Sequence, residues 1–191
     1  TYDDVAYSLI QTLDGGYALA GSTDPSGTGA NDFWLVKTDA NGKIQWSKTY
    51  GGSQDDVARC VEQTHDGGFA VAGKTRSSGS AGGYDFWLVK TDAAGKLVWS
   101  KMYGGTQDEQ AYCVVNTVDG GYFLAGSRVV SGQLDFYWVK TDPSGILEWP
   151  GWAGGSANEE ARSVGRTRDE GYAIAGYTES GGDADFWLVK I

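Results

Sequence analysis

Carboxylates recurring at matched positions are the side chains of this sequence best suited to chemistry. An acidic pair opens each of four segments: Asp3-Asp4, Asp55-Asp56, Asp108-Glu109 and Glu159-Glu160. A second carboxylate precedes two aromatic residues at Asp32, Asp85, Asp135 and Asp185. Oxygen-rich rings of this kind suit Ca²⁺ or another hard cation, which takes roughly six to eight oxygen ligands. The candidates for such a site are Asp4, Asp56, Glu109, Glu160, Asp32, Asp85, Asp135 and Asp185. The competing reading is structural, because a scaffold need recurs in every unit and a ligand site often does not. In that reading each carboxylate accepts hydrogen bonds from loop N–H groups and ties one unit to the next. No motif demands a cofactor.

Other chemistries lack their parts. His65 is the sole histidine, and its equivalents Leu13, Val118 and Arg168 share no property with it, which marks an ordinary surface residue. Ser-His-Asp or Cys-His catalysis has no support without a nucleophile beside a base, and zinc has no Cys/His cluster. No catalytic residue is assigned, and the expectation is a non-enzymatic protein. Cys60 and Cys113 share a repeat position with Ser8 and Ser163, a small set expected to pack near an axis as buried thiols. A disulfide needs Cα atoms within about 7 Å, and equivalent positions on neighbouring units usually lie farther apart. At the preceding position Tyr7, Arg59, Tyr112 and Arg162 alternate, a pattern expected to pack and hydrogen-bond to the next unit.

The elements that position these residues follow from a repeat. Asp14-Gly15-Gly16, Asp66-Gly67-Gly68, Asp119-Gly120-Gly121 and Asp169-Glu170-Gly171 recur every 50–53 residues, as do Asp32-Phe33-Trp34 and its three copies. A fixed period of this size signals a solenoid, an array or a propeller. The second unit divides into four β-favouring runs: A (57–64), B (68–73), C (85–91) and D (96–103). Gly-rich turns separate A from B and C from D. Runs B and C are apolar on both faces, as in Phe86-Trp87-Leu88-Val89, which suits strands covered on both sides. Run D is more polar, carries Trp46, Trp99 or Trp149, and tolerates Pro150, as an outer strand would. Nothing repeats at 3.6 residues, so helical solenoids are excluded. The expected fold is an all-β propeller of four roughly 50-residue, four-stranded blades, the last lacking its outer strand. Its units span approximately 3–52, 53–105, 106–155 and 156–191 of one domain.

Composition narrows the partners. The 191 residues carry 25 acidic and 15 basic side chains, a net charge of −10, which opposes binding to nucleic acid. No apolar run approaches the roughly 18 residues of a membrane span. The opening residues Thr1-Tyr2-Asp3-Asp4 form no signal peptide, as expected for a cytosolic protein or a mature, trimmed form.

Tyr103-Gly104-Gly105-Thr106-Gln107-Asp108-Glu109, an Ala-x-x-Val strand and Asp119-Gly120-Gly121-Tyr122 together resemble the bacterial and archaeal beta-propeller repeats of the SBBP type. The segment Thr91-Asp92-Ala93-Ala94-Gly95-Lys96-Leu97-Val98-Trp99 is similar to the tryptophan-docking segment of quinoprotein-like propellers. The resemblance covers the whole chain. It implies a propeller fold and an extracellular or cell-surface location, with no particular activity.

Four copies of A, B and C but three of D leave run C of the fourth unit as an open edge at Phe186, Trp187, Leu188 and Val189. Such an edge is a template for another strand. The expected partner is therefore a protein or a second copy of this chain, and closure by four blades, by two half-rings or not at all remains open at this level. A lectin-like propeller, binding a small ligand or glycan with its D-to-A and B-to-C loops, is the alternative function. Those variable loops are Ser22 to Asn31, Lys74 to Tyr84, Ser127 to Leu134 and Tyr177 to Ala184, and Tyr84 and Tyr177 are their only aromatics.

Overall fold

The computed structural model describes residues 4–24, 27, 30–77 and 82–191. Thr1, Tyr2 and Asp3 lie outside the described residues, as do 25–26, 28–29 and 78–81 in the first two B-to-C loops. Fifteen strands form four antiparallel sheets, with no helix among the described residues. The first sheet holds β1 (Val5–Gln11), β2 (Tyr17–Thr23), β3 (Asp32–Thr38) and β4 (Ile44–Tyr50), paired in that order. The second holds β5 (Asp56–Gln63), β6 (Phe69–Thr75), β7 (Asp85–Thr91) and β8 (Leu97–Tyr103). The third holds β9 (Glu109–Asn116), β10 (Tyr122–Val130), β11 (Gln133–Thr141) and β12 (Leu147–Ala153). The fourth has three strands, β13 (Glu159–Arg166), β14 (Tyr172–Thr178) and β15 (Asp185–Lys190).

Local chemistry sets the turns. In the first hairpin of the second sheet, Gly67 donates its N–H to Thr64 O (2.9 Å) and Thr64 donates to Gly68 O (2.9 Å). Gly67 has φ +80°, a conformation that costs other L-residues roughly 1–2 kcal/mol. Each first strand after the first sheet's β1 also carries a register shift against its neighbour, and so does β1 itself, at Ala6/Ser8. The skipped residues are Tyr7, Arg59, Tyr112 and Arg162, so the bulge turns these long side chains out of the regular alternation.

The sheets pack in chain order, β2 against β5, β6 against β9 and β10 against β13. Each junction has its own hydrophobic cluster. Phe33, Phe86 and Phe136 are wholly buried, and each ring meets an aromatic of the following sheet. The centroid distances are 4.4 Å to Trp87, 5.1 Å to Tyr137 and 4.6 Å to Trp187. Burying one such side chain contributes about 1.5–3 kcal/mol. Glycine makes room for the ring: a Cβ at Gly73 would stand 2.9 Å from Phe33 Cζ, and one at Gly176 2.8 Å from Phe136 Cζ.

Outer strands reach forward as well. Tyr50 and Tyr103 donate their hydroxyls to Gly95 O (2.6 Å) and Gly145 O (2.8 Å) in the next sheet's last turn. Trp46 and Trp99 lie over those same glycines, where a Cβ would crowd the indoles. In the third sheet Ala153 stands where Tyr50 and Tyr103 stand, and Trp149 is partly exposed.

The two end faces differ from the three junctions. Leu9 is 59% exposed where its equivalent Val61 is 1% exposed. Phe186 is fully exposed and Leu188 67% exposed, while Phe33 and Leu35 are buried.

Candidate functional site

The acidic residues at the strand openings lie at the junctions, in twos. Asp56 is wholly buried; its Oδ1 accepts from the Thr75 hydroxyl, and its Oδ2 accepts from Ser77 Oγ (2.7 Å) and the Gly52 N–H (2.9 Å). Glu109 Oε2 accepts from the Gly105 N–H at 2.9 Å. Glu159 Oε2 accepts from the Gly155 N–H (3.1 Å) and its Oε1 from Thr178 Oγ1 (3.0 Å). The register corrects one expected member of this set. Glu159 faces Thr178 as Asp56 faces Thr75, so Glu159 and not Glu160 belongs with Asp56 and Glu109. Glu160 instead forms an ion pair with Arg162. The shift arises because Asn158 takes the place of the first acid: Asn158 Oδ1 accepts the Leu134 N–H (3.0 Å), as Asp108 Oδ1 accepts the Tyr84 N–H (2.8 Å) and Asp55 Oδ1 the Asn31 N–H (2.9 Å).

The second set of carboxylates comes from the preceding sheet. A Cβ at Gly51 would collide with both Asp32 and Asp56, one at Gly104 with Asp85 and Glu109, and one at Gly154 with Asp135. Burial pushes the Glu109 carboxyl above its usual range; the Gly105 N–H opposes this, and the charge and hydrogen bond of Asp85 add to it. Burial likewise raises Asp32, helped by the charges of Asp56 and Asp24. Asp135 is held by Arg128 at 3.6 Å. Asp4 and Asp185 are exposed, one on each end sheet. Among the described residues no three His, Cys, Asp or Glu side chains gather as a metal-binding group. The geometry on the page is hydrogen bonding between sheets.

Along the first strands, Arg59 lies over the Tyr7 ring at 4.2 Å and faces the Tyr112 ring at 5.9 Å. Arg162 lies over Tyr112 at 4.6 Å. The alternation seen in the sequence is thus a cation–π stack running from sheet to sheet, each contact worth about 0.5–2 kcal/mol. Ser8 Oγ accepts the Val61 N–H at 3.2 Å, so the small residues beside the stack bond across the same junctions. Cys60 and Cys113 are free and only half-buried. Their sulfurs are 3.9 Å apart, closer than repeat geometry alone suggested. The thiol of Cys60 donates to Cys113; this bond holds the Cys113 pKa down at about 7 and pushes that of Cys60 up.

A four-times-repeated lysine clamp escaped the sequence reading. Lys37, Lys90, Lys140 and Lys190 pair with Asp14, Asp66, Asp119 and Asp169 in the A-to-B hairpins, at 2.6–3.0 Å. The Lys140 and Thr117 hydrogen bonds draw Asp119 down to about 2. The signal was present in the last residue of each Asp-Phe-x-x-Val-Lys run, hidden because an apolar run directs attention to its core residues. His65 is exposed in its hairpin turn. In the second B-to-C loop Tyr84 is flanked by Lys74 (4.0 Å) and Arg76 (4.9 Å).

The open edge lies where the spacing predicted it. β3, β7 and β11 each pair on both sides, whereas β15 pairs with β14 alone among the described residues. Beside it, Arg162, Ser163, Ala175, Tyr177, Asp185 and Phe186 line a hollow of about 350 Å³ on the outer face of the fourth sheet.

No family model matches the chain. A 134-residue stretch, 62% of the chain, is 25% identical to the regulatory protein FlaEY of Caulobacter vibrioides. The match spans 14% of that protein's length.

Proposed function

We propose that the chain is a non-enzymatic β-propeller repeat module of the SBBP type that serves protein interaction or structural assembly outside the cell or at its surface. The single observation that carries the reading is the fourth sheet: Phe186 is fully exposed while Phe33, Phe86 and Phe136 are wholly buried. An unpaired apolar strand beside an uncovered apolar face is an incomplete structure that a protein partner completes. The location follows from the sequence resemblance.

The edge also has a known complement. β15 reads Asp-Phe-Trp-Leu-Val-Lys, identical to Asp85–Lys90 of β7, which takes β8 as its outer neighbour. A synthetic peptide of residues 96–105 therefore pairs with β15 by the same backbone bonds and side-chain contacts. Hydrogen exchange measures this. The reading expects the β15 amides to slow when the peptide is added and those of β6 to stay unchanged. An intact fold with unprotected β15 amides at saturating peptide would falsify it.

A further inference from the structure

The two uncovered faces of this chain are the two halves of one junction. Each of the three internal junctions presses a Phe from one sheet between a mid-strand Gly and the aromatic of the next. The fourth sheet offers Phe186 with nothing over it. The first sheet offers the matching seat, Gly21 opposite Trp34, and no ring fills it among the described residues. The apolar neighbours are split the same way. Val61, Val114 and Val164 are buried against the Ala-rich middle strand of the preceding sheet, whereas Leu9 is exposed at one end and Ala175 and Leu188 at the other.

The cation–π stack identifies the occupant independently. Its members alternate Tyr7, Arg59, Tyr112, Arg162. Arg59 has a tyrosine from each neighbouring sheet, while Arg162 has one only from the preceding sheet, together with Tyr177 of its own at 5.9 Å. The residue that continues the alternation is a tyrosine on an approaching first strand. Tyr7, 45% exposed, is that residue in a second copy. The acidic pairs agree: Asp185 and Asp4 are the two halves of a fourth junction pair, equivalent to Asp32 with Asp56.

We infer that two copies of this chain dock head to tail, the fourth sheet of one covering the first sheet of the other. Phe186 enters the Gly21/Trp34 seat, Leu9 of the partner packs on Ala175 and Leu188, and Tyr7 of the partner stacks on Arg162. Because head and tail are different surfaces, the contact is heterologous and each copy keeps a second junction to make. The inference rests on the interaction-module reading and names its partner.

Light scattering against concentration, with two charge variants, tests it. The wild-type chain is expected to exceed the single-chain mass of 20.3 kDa. Phe186→Asp and Leu9→Asp each replace an exposed residue, so both keep the wild-type circular dichroism, and each weakens association at least about thirtyfold, as loss of a buried anchor does. Equimolar mixing of the two variants restores a dimer, since each keeps the half the other has lost. A wild-type chain that stays monomeric up to about 100 μM, a range that captures weak specific contacts, overturns head-to-tail docking while leaving the peptide test of the edge untouched. Oligomers that survive both substitutions, or variants that do not complement on mixing, overturn it as well.

Discussion

At Glu170 the backbone takes φ +64°, the left-handed conformation that Gly15, Gly67 and Gly120 occupy in the other three hairpins. A side chain there is strained whatever space surrounds it, and at Gly15 a Cβ would meet nothing within 4 Å. Glu170→Gly is therefore expected to stabilise the protein by about 1 kcal/mol, the left-handed penalty less the greater freedom glycine gives the unfolded chain. Urea unfolding midpoints decide it, and an unchanged or lower midpoint counts against it. This position was legible as a departure in the sequence, Asp-Glu-Gly where the others read Asp-Gly-Gly. The acid at the opening of β13 was not. Both Glu159 and Glu160 are acidic, and only the pairing with Thr178 shows which one faces inward. The close approach of Cys60 to Cys113 was equally hidden, because spacing along the chain says nothing about how near two adjacent sheets come at their first strands.

The hairpins are the elements on which pH acts. Asp14, Asp66, Asp119 and Asp169 each accept from a Thr hydroxyl and a Lys ammonium, and all four carboxyls are held below their usual range. A carboxylate whose folded pKa is depressed adds stability above its unfolded value, about 3.9, and that stability is lost as pH falls through the folded value. For Asp119 the folded value is about 2, so the loss runs between roughly pH 4 and pH 2. The aspartates are more than half exposed, and solvent screens each pair. Replacing all four with Asn is expected to flatten the fall in thermal midpoint across that window relative to the wild type. An equally steep fall in the variant places the acid sensitivity elsewhere. At this scale the sequence was read well: strand ends in the second sheet lie within two residues of runs A to D, since each run is bounded by turn residues whose φ is dictated locally.

The whole molecule is a row of sheets with a separate hydrophobic cluster at each junction and no cluster common to all four. Stability in such a row is a sum of unit and nearest-neighbour contributions. The inner sheets have two junctions and the end sheets one. In the Phe186→Asp variant, where the last sheet has no partner, amides of β13–β15 are expected to exchange faster than those of β6 and β7, which global opening alone exposes. Uniform protection across all four sheets contradicts this. Four sheets were legible in the period of the sequence, and so was the missing outer strand. The uncovered faces were not, because Phe186 sits in the same motif as three buried phenylalanines and differs from them only in having no following sheet.

Identity between units has a cost during folding. Asp32–Thr38 and Asp85–Thr91 are the same seven residues, so β2 has two equally good candidates for its neighbour. No side chain distinguishes them. What does is the length of chain that must loop back: eight residues separate β2 from β3, and about three doublings of that length separate β2 from β7. At about 0.6 kcal/mol per doubling the correct hairpin leads by about 1.8 kcal/mol, roughly twentyfold. The short loop between β2 and β3 thus acts as an address label, sorting strands whose sequences carry none.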